Sequence, residues 1–180
     1  MTNQRPHTSH ATDPACDVAH GEAPAAETPT RTLVAIFATP VARFLLSYAR
    51  DAGFRAVLIE PDDGQAATGD GGFTVSRTLD GYLDDNADVV VTDHHRSELG
   101  PMLRDALAGK ARWVGIMGNP KHPAPHIPAL TALGVADQEI AKVHRPIGLN
   151  IGSHTPAEIA LATMAGLIAD RNGRPGGFTF

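Results

Sequence analysis

A chain of 180 residues with 42% apolar side chains is long enough for one domain with a sizeable core. Its formal charge of −5 argues against a generic nucleic-acid surface, which needs clustered Lys and Arg, and no run of about 18 apolar residues is present to cross a membrane. One cysteine, Cys16, excludes an internal disulfide and a cysteine-built zinc site, so a soluble, cytoplasmic protein is expected.

Residues 1–31 are rich in Thr, Ala, Pro, His and Glu and contain no Ile, Leu or Phe. Such a segment buries too little surface to offset the entropy of ordering, and it reads as a disordered tail without the apolar stretch of a secretory signal. Cys16 reads as a solvated bystander there, and His7, His10 and His20 are too irregularly spaced to suggest a metal site. From Arg31 onward strand and helix signals alternate. Thr32-Leu-Val-Ala-Ile-Phe37 is a buried parallel-strand run. Thr39-Pro40 starts a helix whose apolar face is Val41, Phe44, Leu45, Tyr48, Ala49 and Ala52, and Gly53 ends it. Strands follow over 55–60, weakly over 73–75, and clearly over 87–92, with a Gly/Asp-rich loop over 62–72. Leu99, Met102, Leu103, Ala106 and Leu107 are spaced as a helix, and Arg112-Trp-Val-Gly-Ile-Met117 is a fifth strand.

This alternation predicts an α/β, Rossmann-like doubly wound parallel sheet over 32–180, with helices on both faces and strand order 3-2-1-4-5. A ligand is expected at the carboxyl ends of the strands, near the point where the strand order reverses. Beyond Gly118, four prolines leave 119–129 mostly loop, with a short helix over 128–133 and another capped by Asp137 and running to Val143. Thr155-Pro-Ala-Glu158 is a capping box that opens a long apolar helix to about Arg171.

Four turns at one sheet edge are candidate sites. In the first, Phe37-Ala-Thr-Pro-Val-Ala42 stands where a dinucleotide fold places G-x-G-x-x-G, so both glycines that admit a pyrophosphate are missing. Glu60 stands where an acid can bind a ribose diol. Ala38, Thr39 and Glu60 therefore read either as a nucleotide-binding turn or as a structural turn beside a surface glutamate. Asp93 and His94 close the fourth strand, as a ligand-facing pair or as a solvated helix-starting loop. Gly118, Asn119 and Lys121 follow the fifth strand, where glycine permits close approach and the polar pair suits an anion or a pterin edge. Asn150, Gly152, Ser153, His154 and Thr155 deliver polar groups to a helix N-terminus that suits a phosphate, or simply form a connector. No catalytic nucleophile-base pair and no metal-ligating motif stands out.

Trp113-Val-Gly-Ile-Met-Gly118, His144-Arg-Pro-Ile-Gly-Leu-Asn-Ile-Gly152 and Ser153-His-Thr-Pro-Ala-Glu-Ile-Ala160 together resemble the XdhC/CoxI family of xanthine dehydrogenase accessory proteins. The resemblance is to its C-terminal Rossmann domain, which carries Y-V-G-x-I/M-G-S-R/K-R/K and H-x-P-I-G-L-D-I-G-A/S-R/K-T-P-E/A-E-I-A. It implies an accessory protein, more a cofactor carrier than an enzyme, that binds the molybdenum cofactor (a molybdopterin) and passes it to a molybdenum hydroxylase apoenzyme. A cysteine desulfurase is an implied further partner, and a homodimer an implied assembly. The chain departs from the family at Phe37 (glycine in the G-A-T-P-V-A turn of some members), Asp93-His94 (order exchanged), Asn119-Pro120-Lys121 (Ser-Arg-Arg), Asn150 (aspartate) and His154 (a basic residue). Several of these changes remove charge, so weaker phosphate binding is expected. The family's N-terminal domain has no counterpart in the tail, so a divergent, stand-alone version is expected. An NAD(P)-binding oxidoreductase and a ligand-free interaction protein are the alternative readings.

Overall fold

The computed structural model of the chain describes Val18 and residues 30–62, 72–119 and 121–176. The expected tail, with Cys16, His7, His10 and His20, lies outside the described residues apart from Val18 and 30–31, as does most of the 62–72 loop. Chain order is β1 (Thr32–Ile36), α1 (Pro40–Asp51), β2 (Arg55–Ile59), β3 (Thr74–Ser76), β4 (Ala87–Val91), α2 (Leu99–Ala108), β5 (Trp113–Ile116), α3 (His126–Thr131), α4 (Asp137–Ile140), β6 (Val143–His144) and α5 (Pro156–Arg171).

The six strands form one sheet in the order β3-β2-β1-β4-β5-β6, every pairing parallel. The expected order is present, extended at one edge by β6, which sequence reading missed because two residues carry no periodicity. β1 and β4 are buried at all five positions, as strands covered on both faces must be. Alternate residues split the core into two layers. Val34, Ile36, Val89, Val91 and Ile116 face α2, α3 and α4 through Leu103, Leu130 and Ile140. Leu33, Ala35, Leu58 and Val90 face α1 and α5 through Leu45, Leu46, Met164 and Leu167.

The helix boundaries follow from side-chain chemistry. Thr39 caps α1 by accepting from the Ala42 N–H, with Pro40 at the first helical position. Gly53, at φ 79°, ends it, and the Gly53 and Phe54 amides return to the Arg50 and Ala49 carbonyls. The short helices differ from expectation. α3 starts two residues before Pro128, which the first turn tolerates because no N–H is needed there. α4 is capped by Ala136, so Asp137 is its first helical residue rather than its cap.

Opposite the strands' carboxyl ends, Asp88 is fully buried and receives Arg112 and Arg31. Arg112 Nε donates to it at 2.9 Å, and both arginines also reach Asp170 near the end of α5 at 2.9 Å. Burial pushes the Asp88 carboxyl up, and the two guanidinium groups pull it back. At the β5–β6 edge the sole tryptophan, Trp113, stacks on His144 with ring centroids 5.1 Å apart. The indole leaves no room for a side chain at position 115, where a Cβ would lie 2.2 Å from it.

Candidate functional site

The carboxyl ends of β1 and β4 are tied together by a hydroxyl chain. Thr39 Oγ1 donates to Thr92 Oγ1 at 3.0 Å, and Thr92 Oγ1 lies 3.0 and 2.9 Å from the carbonyls of Ile36 and Phe37, to which it donates. Phe37 turns the chain out of β1 with φ 76°, in the region that favours glycine. Its ring does not face a ligand; it is fully buried in the α2 layer, with the Arg96 guanidinium 4.8 Å from its centroid.

Glu60 is buried beside this turn. One oxygen accepts from the Ala38 N–H at 2.8 Å and the other from the Asp62 N–H at 3.0 Å, while Arg96 Nη2 pairs with the latter at 3.0 Å. The carboxylate therefore holds the turn and balances Arg96, which also binds Glu98 at 3.0 Å. Glu60 is neither the exposed glutamate of one reading nor open to a ribose diol, as the other supposed. The Arg96 bonds hold the Glu98 carboxyl down to about 2.

A crevice of ≈ 710 Å³ opens where the order reverses, between β1, β4 and β5 and the connector that leads to α5. It has the size of a small-molecule site. Of the candidate residues, His94, Gly118, Asn119, Asn150, Gly152 and Ser153 line it. Ala38, Glu60, Asp93, Lys121, His154 and Thr155 do not, and Thr39 reaches it through Thr92. Met117, Ile147, Leu149 and Thr163, which sequence reading did not select, complete the walls. His94 is the one titratable side chain among the described lining residues. Burial, then the neighbouring His95 ring 4.1 Å away, push its imidazole below the ordinary value, so it stays neutral at pH 7.

The rim is held by local bonds. Asp93 Oδ1 accepts from the His95 N–H at 2.8 Å, and Asn119 Oδ1 from the Lys121 N–H at 2.9 Å. Arg145, another residue that sequence reading passed over, donates to the Asn119 carbonyl at 2.7 Å and lies against Gly118, where a Cβ would come within 2.7 Å of its Nε. The Lys121 side chain is exposed at the edge. The connector meets α5 backbone to backbone: Leu149 N–H donates to the Ala162 carbonyl at 3.0 Å, and Gly148 has φ 85°.

At the start of α5 the chain supplies its own anion. Glu158 Oε2 accepts from the His154 and Thr155 N–H groups at 2.7 and 3.0 Å, while Thr155 Oγ1 accepts from the Glu158 N–H at 3.2 Å. The amides expected to cradle a phosphate are thus occupied, and the bonds pull the Glu158 carboxyl below its ordinary value. The capping box in the sequence contained this information, because a Glu that reaches back takes the N–H groups an anion would need. Glu158→Gln is expected to weaken the start of α5 and to raise inorganic phosphate affinity, checked by amide chemical shifts at 153–158 during a phosphate titration.

These depressed carboxyls set the acid response. For a group whose folded value lies below its unfolded one, the stabilisation is present above the unfolded value and lost as pH falls. Glu98, Glu158 and Asp170 therefore lower stability as pH falls below about 4.5, while the raised Asp88 acts in the opposite sense. Urea midpoints measured between pH 6 and pH 3 are expected to drop most steeply at the acid end.

A six-stranded parallel sheet with a crevice at its reversal point and helices on both faces defines a Rossmann-like α/β domain. The XdhC Rossmann domain matches residues 33–167, and the chain belongs to that family. Escherichia coli (strain K12) YqeB is 32% identical over 94 residues, 52% of this chain and 17% of YqeB. The crystal structure of a xanthine dehydrogenase from Bacillus halodurans superposes with a TM-score of 0.64 at 21% identity, covering 84% of this chain and 45% of that one. That likeness concerns the fold, and the chain spans less than half the length of either protein.

Proposed function

We propose that this chain is an accessory protein for molybdenum hydroxylases of the xanthine dehydrogenase type, and that its crevice holds the pterin of the molybdenum cofactor. Family membership supplies the class. The observation that carries the ligand is the crevice itself, ≈ 710 Å³ at the reversal point, with the polar residues Asn119, Asn150, Ser153 and a neutral His94 in its lining. These groups suit the hydrogen-bonding edge of a flat heterocycle, and Met117, Ile147 and Leu149 suit its faces. Redox chemistry belongs to the cofactor in the recipient enzyme; this chain binds, orients and releases.

The phosphate end fits less well. Glu60 takes the Ala38 N–H and Glu158 the 154–155 amides, which leaves Lys121 at the rim as the cation on offer among the candidate residues. A hydroxylase apoenzyme as recipient, a cysteine desulfurase as sulfur donor and a cytoplasmic location belong to the same proposal.

The test is to purify the chain from a molybdopterin-producing host, denature it, and assay the supernatant for oxidised pterin fluorescence and for nucleotides by mass spectrometry. Stoichiometric pterin, reduced several-fold in Lys121→Ala, is the expected result. Nucleotide without pterin would replace the proposal with an NAD(P)-binding role. An empty protein would favour an interaction protein, a reading to which the occupied amides already lend support.

A further inference from the structure

The crevice at the reversal point has a wall without fixed charge. Among its described lining residues there is no Lys, Arg, Asp or Glu, and apolar side chains such as Met117, Ile147 and Leu149 form much of it. The ionic groups around it are engaged with one another or with the backbone. Glu60 pairs with Arg96, Glu158 Oε2 accepts from the His154 and Thr155 amides, and Arg145 Nη2 donates to the carbonyls of Asn119 and His122. Lys121 is exposed and outside the lining. An anion pressed against such a wall gives up hydration and meets no counter-charge. A single lining residue is able to change that balance. His94 is half-buried in the wall and is the one described lining side chain that titrates.

We propose that His94 is the specificity-determining residue of the crevice: with its ring neutral the site takes an uncharged flat heterocycle and rejects an anionic one, and protonation of that ring removes the rejection. The inference rests on the reading of the crevice as a pterin site and adds what sets its selectivity. The groups that act on the imidazole are few. Burial and the His95 ring, 4.1 Å away in the same loop, hold the proton off; Asp93 draws it on; Arg145, from the connector side, opposes it again. Their sum keeps the ring neutral at pH 7, and it gains its charge as pH falls below the ordinary imidazole value. The same linkage runs backwards. A bound anion favours the charged ring, and a bound neutral guest favours the uncharged one.

The probes are 6-hydroxymethylpterin, which is uncharged, and pterin-6-carboxylate, whose carboxylate stays ionised, each titrated into the full chain at pH 7 and pH 5 and followed by pterin fluorescence. At pH 7 the uncharged pterin is expected to bind about tenfold tighter, and at pH 5 the gap should narrow several-fold. In His94→Gln the gap should be the same at both pH values. The His94 imidazole resonance of the wild-type chain gives a second reading without a substitution: its titration midpoint should rise with the carboxylate bound and fall with the uncharged pterin bound. Equal affinities at pH 7, a wild-type gap that ignores pH, or a pH-dependent gap that persists in His94→Gln would overturn this inference and leave the pterin reading standing. Failure of both pterins to bind at either pH would overturn the two together.

Discussion

Gly148→Ala is expected to destabilise the protein by about 3 kcal/mol and to deform the crevice. Two costs combine. The backbone at Gly148 has φ 85°, where a Cβ is disfavoured by about 1 kcal/mol or more. The added carbon would also lie 2.9 Å from the Thr163 nitrogen and 3.0 Å from the Ala162 carbonyl carbon, both backbone atoms of α5 that cannot swing aside. Relief requires the connector to lift from the helix, which breaks the Leu149 to Ala162 hydrogen bond and moves a lining wall. Gly134→Ala separates the two costs: its φ is 74°, but nothing lies within 4 Å of the added carbon, so it should lose only about 1 kcal/mol. Urea denaturation of both variants measures the difference. Equal losses would mean that the connector is not held against α5 in solution.

Phe37 carries the second large expectation. Truncating a fully buried Phe to Ala removes about 3–5 kcal/mol. At φ 76° the Ala variant keeps the backbone strain while the Gly variant sheds it. Phe37→Gly should therefore cost about 3 kcal/mol and Phe37→Ala about 4 kcal/mol, a reversal of the usual order in which Gly is the worse replacement in a core. Thermal or urea unfolding decides it, and an Ala variant more stable than the Gly variant would show that the turn is not strained. The ring adds packing in the α2 layer and a contact for Arg96, so the side chain offsets the conformation it imposes.

The sheet was legible because β1, β4 and their neighbours are short apolar runs separated by capped helices, and a parallel sheet buried on both faces has that signature. β6 was not, since Val143 and His144 acquire strand geometry only by pairing with Val114 and Gly115. The crevice was half legible. His94, Gly118, Asn119, Asn150, Gly152 and Ser153 could be placed at its edge because strand ends and helix starts fix where polar turn residues fall. Which of the others stay open was a different question. Arg96 reaches Glu60 across 36 residues, and Arg145 reaches Asn119 across 26, and such pairings leave no local pattern. The result is that Glu60, read from the sequence as a ribose partner or a surface acid, serves instead to hold a turn.

The stacked pair at the β5–β6 edge gives the molecule a built-in optical reporter. Trp113 is the only tryptophan, and its indole is flanked by His144, by Gly115 and, through the narrow gap under the connector, by Ile147 and Leu149. The last two side chains also line the crevice. Any guest that presses on the connector changes the surroundings of the single indole, so tryptophan emission follows occupancy without a label.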